Sequence, residues 1–319
     1  MTDFQAPTLR DYAIRPMGEA DLPAMVAMIQ SSEQLEPTDD SITLDEMTTW
    51  YHHPDNHTAY VAAFAGDGAL AGFASLRRRP DSGDGYGQLR VHPGHRRRGL
   101  GAALFAAVEE LARERGLERF FFYANQLATG LHAFLEHRGF APERYTWLMR
   151  LGETVAVPAP AIPAGCAIRT LDAGAEDDLA LLTAMRNSSF SDHFKSAPRT
   201  IEQTRWLITQ PWFSADGVFL LFCGDQPAGF CITEIDRDTA EHRGVPSGMI
   251  GVLGVLPAFR GRGYGRALLL AGIAYVRARM PLVELHVEGK NARALALYKD
   301  VGFAKQGGGL YLLREPAVS

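Results

Sequence analysis

Val255-Leu256-Pro257-Ala258-Phe259-Arg260-Gly261-Arg262-Gly263-Tyr264-Gly265 lies between an apolar run at 250–255 and a long helical pattern at 264–279. Glycines in such a place expose backbone N–H groups and let a ligand approach with no Cβ in the way. A helix opening at Tyr264 adds unpaired N–H donors and about half a positive charge, so anionic oxygens are favoured there. Arg260 and Arg262 bring further positive charge. The stretch therefore predicts an anion cradle of diphosphate size at a strand-to-helix junction. It has neither the GK[ST] ending of a Walker loop nor the GxGxxG dinucleotide pattern.

Val91-His92-Pro93-Gly94-His95-Arg96-Arg97-Arg98-Gly99-Leu100-Gly101 repeats the arrangement, and one such loop by chance is far more common than two in matching contexts. The rest of the chain repeats with it. Ala13-Ile14-Arg15 recurs as Ala167-Ile168-Arg169, Ala71-Gly72-Phe73 as Ala228-Gly229-Phe230, and Gly139-Phe140 as Gly302-Phe303. The offset grows from 154 to 164 because of an insertion at 235–247, which reads as a polar surface loop. Prolines 158, 160 and 163 mark a semi-rigid linker. The predicted organisation is an N-terminal domain at 1–152, a linker at 153–165 and a C-terminal domain at 166–319.

Each repeat reads as mixed α/β. An opening strand (12–16; 166–171) leads into helical sequence. A hairpin follows (60–64 and 71–76; 218–222 and 228–235), its apolar runs separated by a glycine-containing turn. Then come a strand (88–91; 250–255), the glycine loop, a helix (100–115; 264–279), another strand (119–123; 283–287), a helix and a last strand. The strands flanking the long helix should run parallel, because a helical crossover joins them.

Bulk properties exclude several classes. A net charge of −5 and a pI near 6.1 argue against a nucleic-acid binder. The longest apolar run, 267–276, is about half of what a membrane helix needs, and the N-terminus has no signal-peptide pattern. Cys166, Cys223 and Cys231 show no CxxC spacing, so they predict neither a metal site nor a disulfide framework, only small core residues in a reducing compartment. The expected location is cytoplasmic, with no membrane and no nucleic-acid partner.

At the glycine loops the sequence resembles the GNAT-type N-acetyltransferases, whose acyl-CoA motif reads V-x-P-x-x-[QR]-x-x-G-x-[GA], and the resemblance covers most of both halves. It implies two tandem GNAT-like units that use acetyl-CoA as acyl donor, with no metal. The coenzyme diphosphate would lie on Arg260, Gly261, Arg262, Gly263, Tyr264 and Gly265, and the pantetheine arm along Leu253 and Val255. Val91, Arg96, Arg97, Arg98, Gly99 and Gly101 would form the corresponding site in the first half. After the last crossover, Asn291-x-x-Ala294-x-x-x-Tyr298-x-x-x-Gly302-Phe303 is similar to the family's N-x-x-A-x-x-x-Y-x-x-x-G-F segment. There the tyrosine protonates the departing thiolate, and the asparagine caps the helix or bonds the coenzyme. A phenol with a pKa near 10 can serve a thiolate whose conjugate acid lies near 8.5. Tyr298 otherwise reads as an amphipathic core residue.

The first half has Leu135 and Ala128 at the positions of Tyr298 and Asn291, so it lacks that proton donor. It reads as structural, or as binding acyl-CoA without turnover. A degenerate first unit, a linker and an intact second one are similar to mycothiol synthase and its relatives, a likeness that extends to 186–194. That group carries a glutamate base near the start of the fourth strand, where this sequence has Met249. Glu234 is the nearest expected carboxylate and is equally a solvated strand end. Asp192 and His193 either line the acceptor pocket or cap a helix. His286 reads as a core histidine, Trp206 and Trp212 as packing residues, and Arg77-Arg78-Arg79 as a solvated strand end. The reading is direct acyl transfer to a primary amine of a small molecule or peptide, mainly in the second half, by a monomer acting as a pseudo-dimer or by a homodimer. The alternatives are a non-catalytic acyl-CoA-binding or regulatory module, and a scaffold for a protein partner.

Overall fold

The structure, a computed structural model, describes residues 9–38, 41–53, 56–79, 83–191 and 198–315. The chain forms two compact units, 1–146 with 308–319, and 147–307. They do not follow the sequence boundary at 153–165. The last strand of each repeat is divided, so each unit takes in the end of a strand that began in the other repeat. Residues 154–163 have no regular secondary structure, and Val155 and Val157 pack on the second unit's core.

The first unit contains β1 (Tyr12–Pro16), α1 (Leu22–Leu35), α2 (Leu44–Tyr51), β2 (Thr58–Ala65), β3 (Leu70–Arg78), β4 (Asp84–Val91), α3 (Leu100–Glu114), β5 (Arg119–Asn125), α4 (Thr129–Glu136) and the start of β6 (Ala141–Leu151). Its strand order is β1-β2-β3-β4-β5, completed by residues 308–314, which run antiparallel to β5 from Gly309–Asn125 to Arg314–Phe120. β4 and β5 are parallel, as the crossover requires. From Phe73 onward, alternation along β3 sends Ala74 and Leu76 to one core, under α3, and Phe73 to the other, under α1; before it, the irregularity in the pairing with β2 places Ala71 in the first core and Leu70 in the second.

The second unit repeats this plan with β7 (Cys166–Thr170), α5 (Glu176–Phe190), α6 (Ile201–Ile208), β8 (Val218–Cys223), β9 (Gln226–Glu234), α7 (Arg237–His242), β10 (Ser247–Val255), α8 (Tyr264–Arg277), β11 (Leu282–Glu288), α9 (Ala292–Val301) and the start of β12 (Ala304–Arg314). Its order is β11-β10-β9-β8-β7, with residues 147–151 of β6 beside β11. One face packs under α8 through residues such as Leu268, Leu269 and Cys231, the other under α5 through Leu182, Phe230 and Ile232. Each fully buried leucine there contributes about 1.5–3 kcal/mol.

Three expectations need correction. The 235–247 insertion is not simply a loop: it holds α7, whose N-cap Asp236 accepts a hydrogen bond from Thr239 N at 2.9 Å. Cys166 and Cys223 stand directly opposite each other in β7 and β8 and form a disulfide; only Cys231 is a free, buried thiol. Opposite positions in an antiparallel pair bring two Cβ atoms close. Linear spacing carries no such register. His286 is exposed rather than in the core, because β11 alternates and buries Val283, Leu285 and Val287 instead. No helix among the described residues is long and apolar enough to cross a membrane.

Candidate active site

The cleft of the second unit arises from a parting of strands. β10 pairs with β11 from Ser247–Leu282 to Met249–Glu284 and then stops, although the two strands run on to Val255 and Glu288. On its other edge β10 stays paired with β9 as far as Val255–Gly229. Leu253 and Val255 therefore have no strand neighbour on the β11 side.

Beyond Val255 the loop turns through left-handed glycines, Gly261 at φ 83° and Gly263 at φ 82°, the latter N-capping α8. Such angles cost an L-residue about 1–2 kcal/mol, which explains the glycines. Gly265 lies in the first turn of the helix. Arg260 does not point away as a spare charge. Its Nε donates to Val255 O at 3.1 Å and a terminal nitrogen to Ser189 O at 3.0 Å, so it braces the loop on β10 and α5. Arg262 stacks 5.6 Å over Phe259, and the Tyr264 side chain is buried, leaving its backbone for any ligand.

α9 begins at Asn291, whose side-chain oxygen accepts from Ala294 N at 3.1 Å, and ends at the left-handed Gly302. The asparagine side chain is thus a helix cap. This frame holds Tyr298 at 7% exposure. Its phenol bonds to no described residue, and burial, with Cys231 nearby, pushes its pKa up to about 12. It stays protonated at neutral pH and has a proton to give.

Glu234 ends β9 directly across from Met249. A carboxylate thus stands on the neighbouring strand beside position 249. Burial pushes the Glu234 carboxyl upward, opposed by Arg199, and Asp236 adds to the rise. Arg199 is fixed by Asn187, which accepts from its backbone N at 2.7 Å and donates to its O at 2.9 Å. A carboxylate raised by burial and accepting no hydrogen bond from a described residue is suited to take a proton.

Sequence reasoning missed Glu284. It is fully buried and accepts from Arg150 at 2.9 and 2.7 Å, Arg243 at 3.0 Å and Ser247 Oγ at 2.8 Å. Burial would raise its carboxyl, but Arg243, Ser247 and Arg150 outweigh that and hold it below the ordinary range. It clamps the last rung before β10 and β11 part. Its one signal was a charge between Val283 and Leu285 in an apolar strand. Trp206 and Trp212 are half-buried, consistent with packing, and Arg77 and Arg78 are exposed at the end of β3. Asp192 and His193 lie outside the described residues. No cluster that could hold a metal occurs among the described residues.

The first unit keeps the strand parting and the loop backbone and changes the side chains. β4 and β5 part after Gly87–Phe122. Gly99 caps α3 at φ 82°, and Arg96 Nε donates to Val91 O at 3.2 Å, both as in the second unit. Gly101 follows in the first turn of α3, while Arg97 takes the left-handed angle, φ 62°, held by Gly261 in the second loop. Arg98 reaches Tyr12 Oη at 3.5 Å, and another Arg96 nitrogen bonds Glu36 at 2.8 Å. Leu135 is completely buried where Tyr298 would be, and Ala128 gives α4 no side-chain cap.

The profile of the acetyltransferase (GNAT) family matches residues 25–140 and again 183–303. A mycothiol acetyltransferase of Kineococcus radiotolerans is 37% identical over 245 residues, 75% of this chain and 76% of that protein. One from Geodermatophilus obscurus is 32% identical over 94% of this chain and 96% of its own length. Among solved structures, a GCN5-related N-acetyltransferase from Sphaerobacter thermophilus superposes with a TM-score of 0.76 over 99% of both chains, at 24% identity.

Proposed function

The chain belongs to the GNAT family and is an acyl-CoA-dependent N-acetyltransferase, and from that premise we propose that the second unit carries the reaction, by direct transfer in a ternary complex. The observation that carries this is the parting of β10 and β11 after Met249–Glu284, with the loop 260–265 following β10 and Tyr298 buried in the core cluster on which Leu253 and Val255 pack. In this reading the bare edge of β10 near Leu253 and Val255 pairs with the pantetheine arm, and the amides of 261–265 take the diphosphate. Acetyl-CoA supplies the thioester.

Glu234 removes a proton from the incoming ammonium, and the neutral amine attacks the thioester carbonyl. A backbone amide near Leu253 stabilises the oxyanion. As the C–S bond breaks, Tyr298 donates its proton to sulfur; the second proton that the nitrogen sheds on becoming an amide restores the phenol, and the first leaves Glu234 for solvent. Burial that raises the phenol penalises charge on the sulfur as well, which draws the proton across.

The acceptor is a small-molecule amine of the kind acetylated by the relatives named mycothiol acetyltransferases. The first unit lacks the acid and acts as a structural partner or a coenzyme binder without turnover. Purified protein given acetyl-CoA and a panel of amines should release free thiol. Tyr298→Phe should lower kcat by about a hundredfold or more, with KM for acetyl-CoA little changed. An unchanged kcat would remove Tyr298 from the mechanism.

A further inference from the structure

Glu234 owes its place to an irregularity in the neighbouring strand. Met249 pairs with Glu234, Ile250 with Thr233 and Val252 with Ile232, so Gly251 is an extra residue with no partner on β9. Such a bulge bends its strand and re-aims nearby side chains. A Cβ built on Gly251 would lie 2.2 Å from Glu234 Oε1 and 2.6 Å from its Cδ. The carboxylate thus rests across bare backbone. Gly251 is exposed and its φ is not in the left-handed region, so neither core packing nor backbone conformation demands glycine there.

The first unit shows the same strand pair without an acid beside it. There β3 and β4 pair without a bulge, Leu76 with Gly87 and Arg77 with Tyr86, as Thr233 pairs with Ile250 and Glu234 with Met249. Arg77 thus occupies the place of Glu234, and Gly251 has no counterpart. The extra glycine is present beside the carboxylate and absent where an arginine stands instead.

We propose that Gly251 is a positioning residue: its missing side chain lets the Glu234 carboxylate lie over β10, where the acceptor amine must lose its proton. This rests on the reading of Glu234 as the base. Gly251→Ala would push the carboxylate aside without removing it, and a misplacement of about 1 Å can cost on the order of a hundredfold in rate.

The test measures steady-state kinetics and pH profiles for wild type, Gly251→Ala, Glu234→Gln and the double variant, with acetyl-CoA and a competent small amine. Expected for Gly251→Ala is a ten- to hundredfold loss in kcat/KM for the amine. The acid limb should move to lower pH as the carboxyl leaves its buried position, with KM for acetyl-CoA unchanged. In the Glu234→Gln background the alanine should cost nothing further. Wild-type rates and pH profile in Gly251→Ala, beside a crippled Glu234→Gln, would overturn this inference and leave the base standing. An equal loss in both backgrounds would overturn it too. A fully active Glu234→Gln would remove both.

Discussion

Glu284→Gln leaves the shape of the clamp and removes its charge. Four hydrogen bonds from Arg150, Arg243 and Ser247 converge on a carboxylate with no exposure. The amide would keep one acceptor and turn a donor toward Arg243 and Ser247. Breaking a buried pair from one side typically costs 3–5 kcal/mol. The arginine side chains are 22% and 16% exposed, so water recovers part of that and about 3 kcal/mol is expected. For a unit of this size that is a fall in melting temperature of about 6–12 °C. The pH dependence has a definite sign. Glu284 is held below its ordinary range, so its contribution is present above the unfolded value near 4.3 and lost as pH falls through the folded one. Thermal unfolding of both proteins at pH 7.5, and again in steps down to pH 4 and below, should show a gap that narrows only in acid. A difference under about 2 °C at pH 7.5, or one that ignores pH, would refute the reasoning.

Glu234→Gln should do the opposite at neutral pH. Its raised carboxyl favours the folded state only below the unfolded value, and that contribution disappears as pH rises through the folded one, so the charged form weakens the fold at pH 7. The variant should melt higher than wild type at pH 7, lose that advantage near pH 4, and be slower on amines. Gly263→Ala places a methyl group at φ 82° and should cost about 1–2 kcal/mol with weaker coenzyme A binding, read by calorimetry. Reduction of Cys166–Cys223 frees a loop of 57 residues and should cost about 4 kcal/mol in the loop-entropy account. The melting temperature should fall with reductant in wild type and stay fixed in Cys166→Ser/Cys223→Ser.

What could be read in advance was what neighbours in sequence determine. The glycine loops, the hairpins and the cap at Asn291 are local, and they lie where expected. Helices α2 and α6 also carry local signals, since Thr43 with Glu46 and Thr200 with Gln203 are both capping boxes. What was hidden depends on register. Glu284 meets Arg150 across 134 positions, Cys166 meets Cys223 across 57, and Glu234 faces Met249 only because β9 and β10 pair as they do. The division of the last strands at Trp147 and Gly308 is of the same kind. No spacing in the chain says which sheet edge a terminal strand will join.

The comparison of the two units bears on what a glycine loop proves. Arg97 keeps φ 62° where glycine would be free of strain, and the strut from Arg96 to Val91 O matches the one from Arg260 to Val255 O. The loop conformation therefore follows from the strand-to-helix junction and its arginine brace, and needs no ligand to explain it. An intact loop is then weak grounds for a second working site. The discriminating positions are those that would meet a substrate. The first unit puts Arg90, paired with Glu33 at 3.8 Å, where the second has Gly254; it puts Arg77 where the second has Glu234, and Leu135 where it has Tyr298. Three changes of charge or proton capacity accompany a glycine loop and a strand parting that both units share, with one backbone difference, the bulge at Gly251. That pattern is expected if the duplicated fold is retained as a frame and the acid–base pair is needed once.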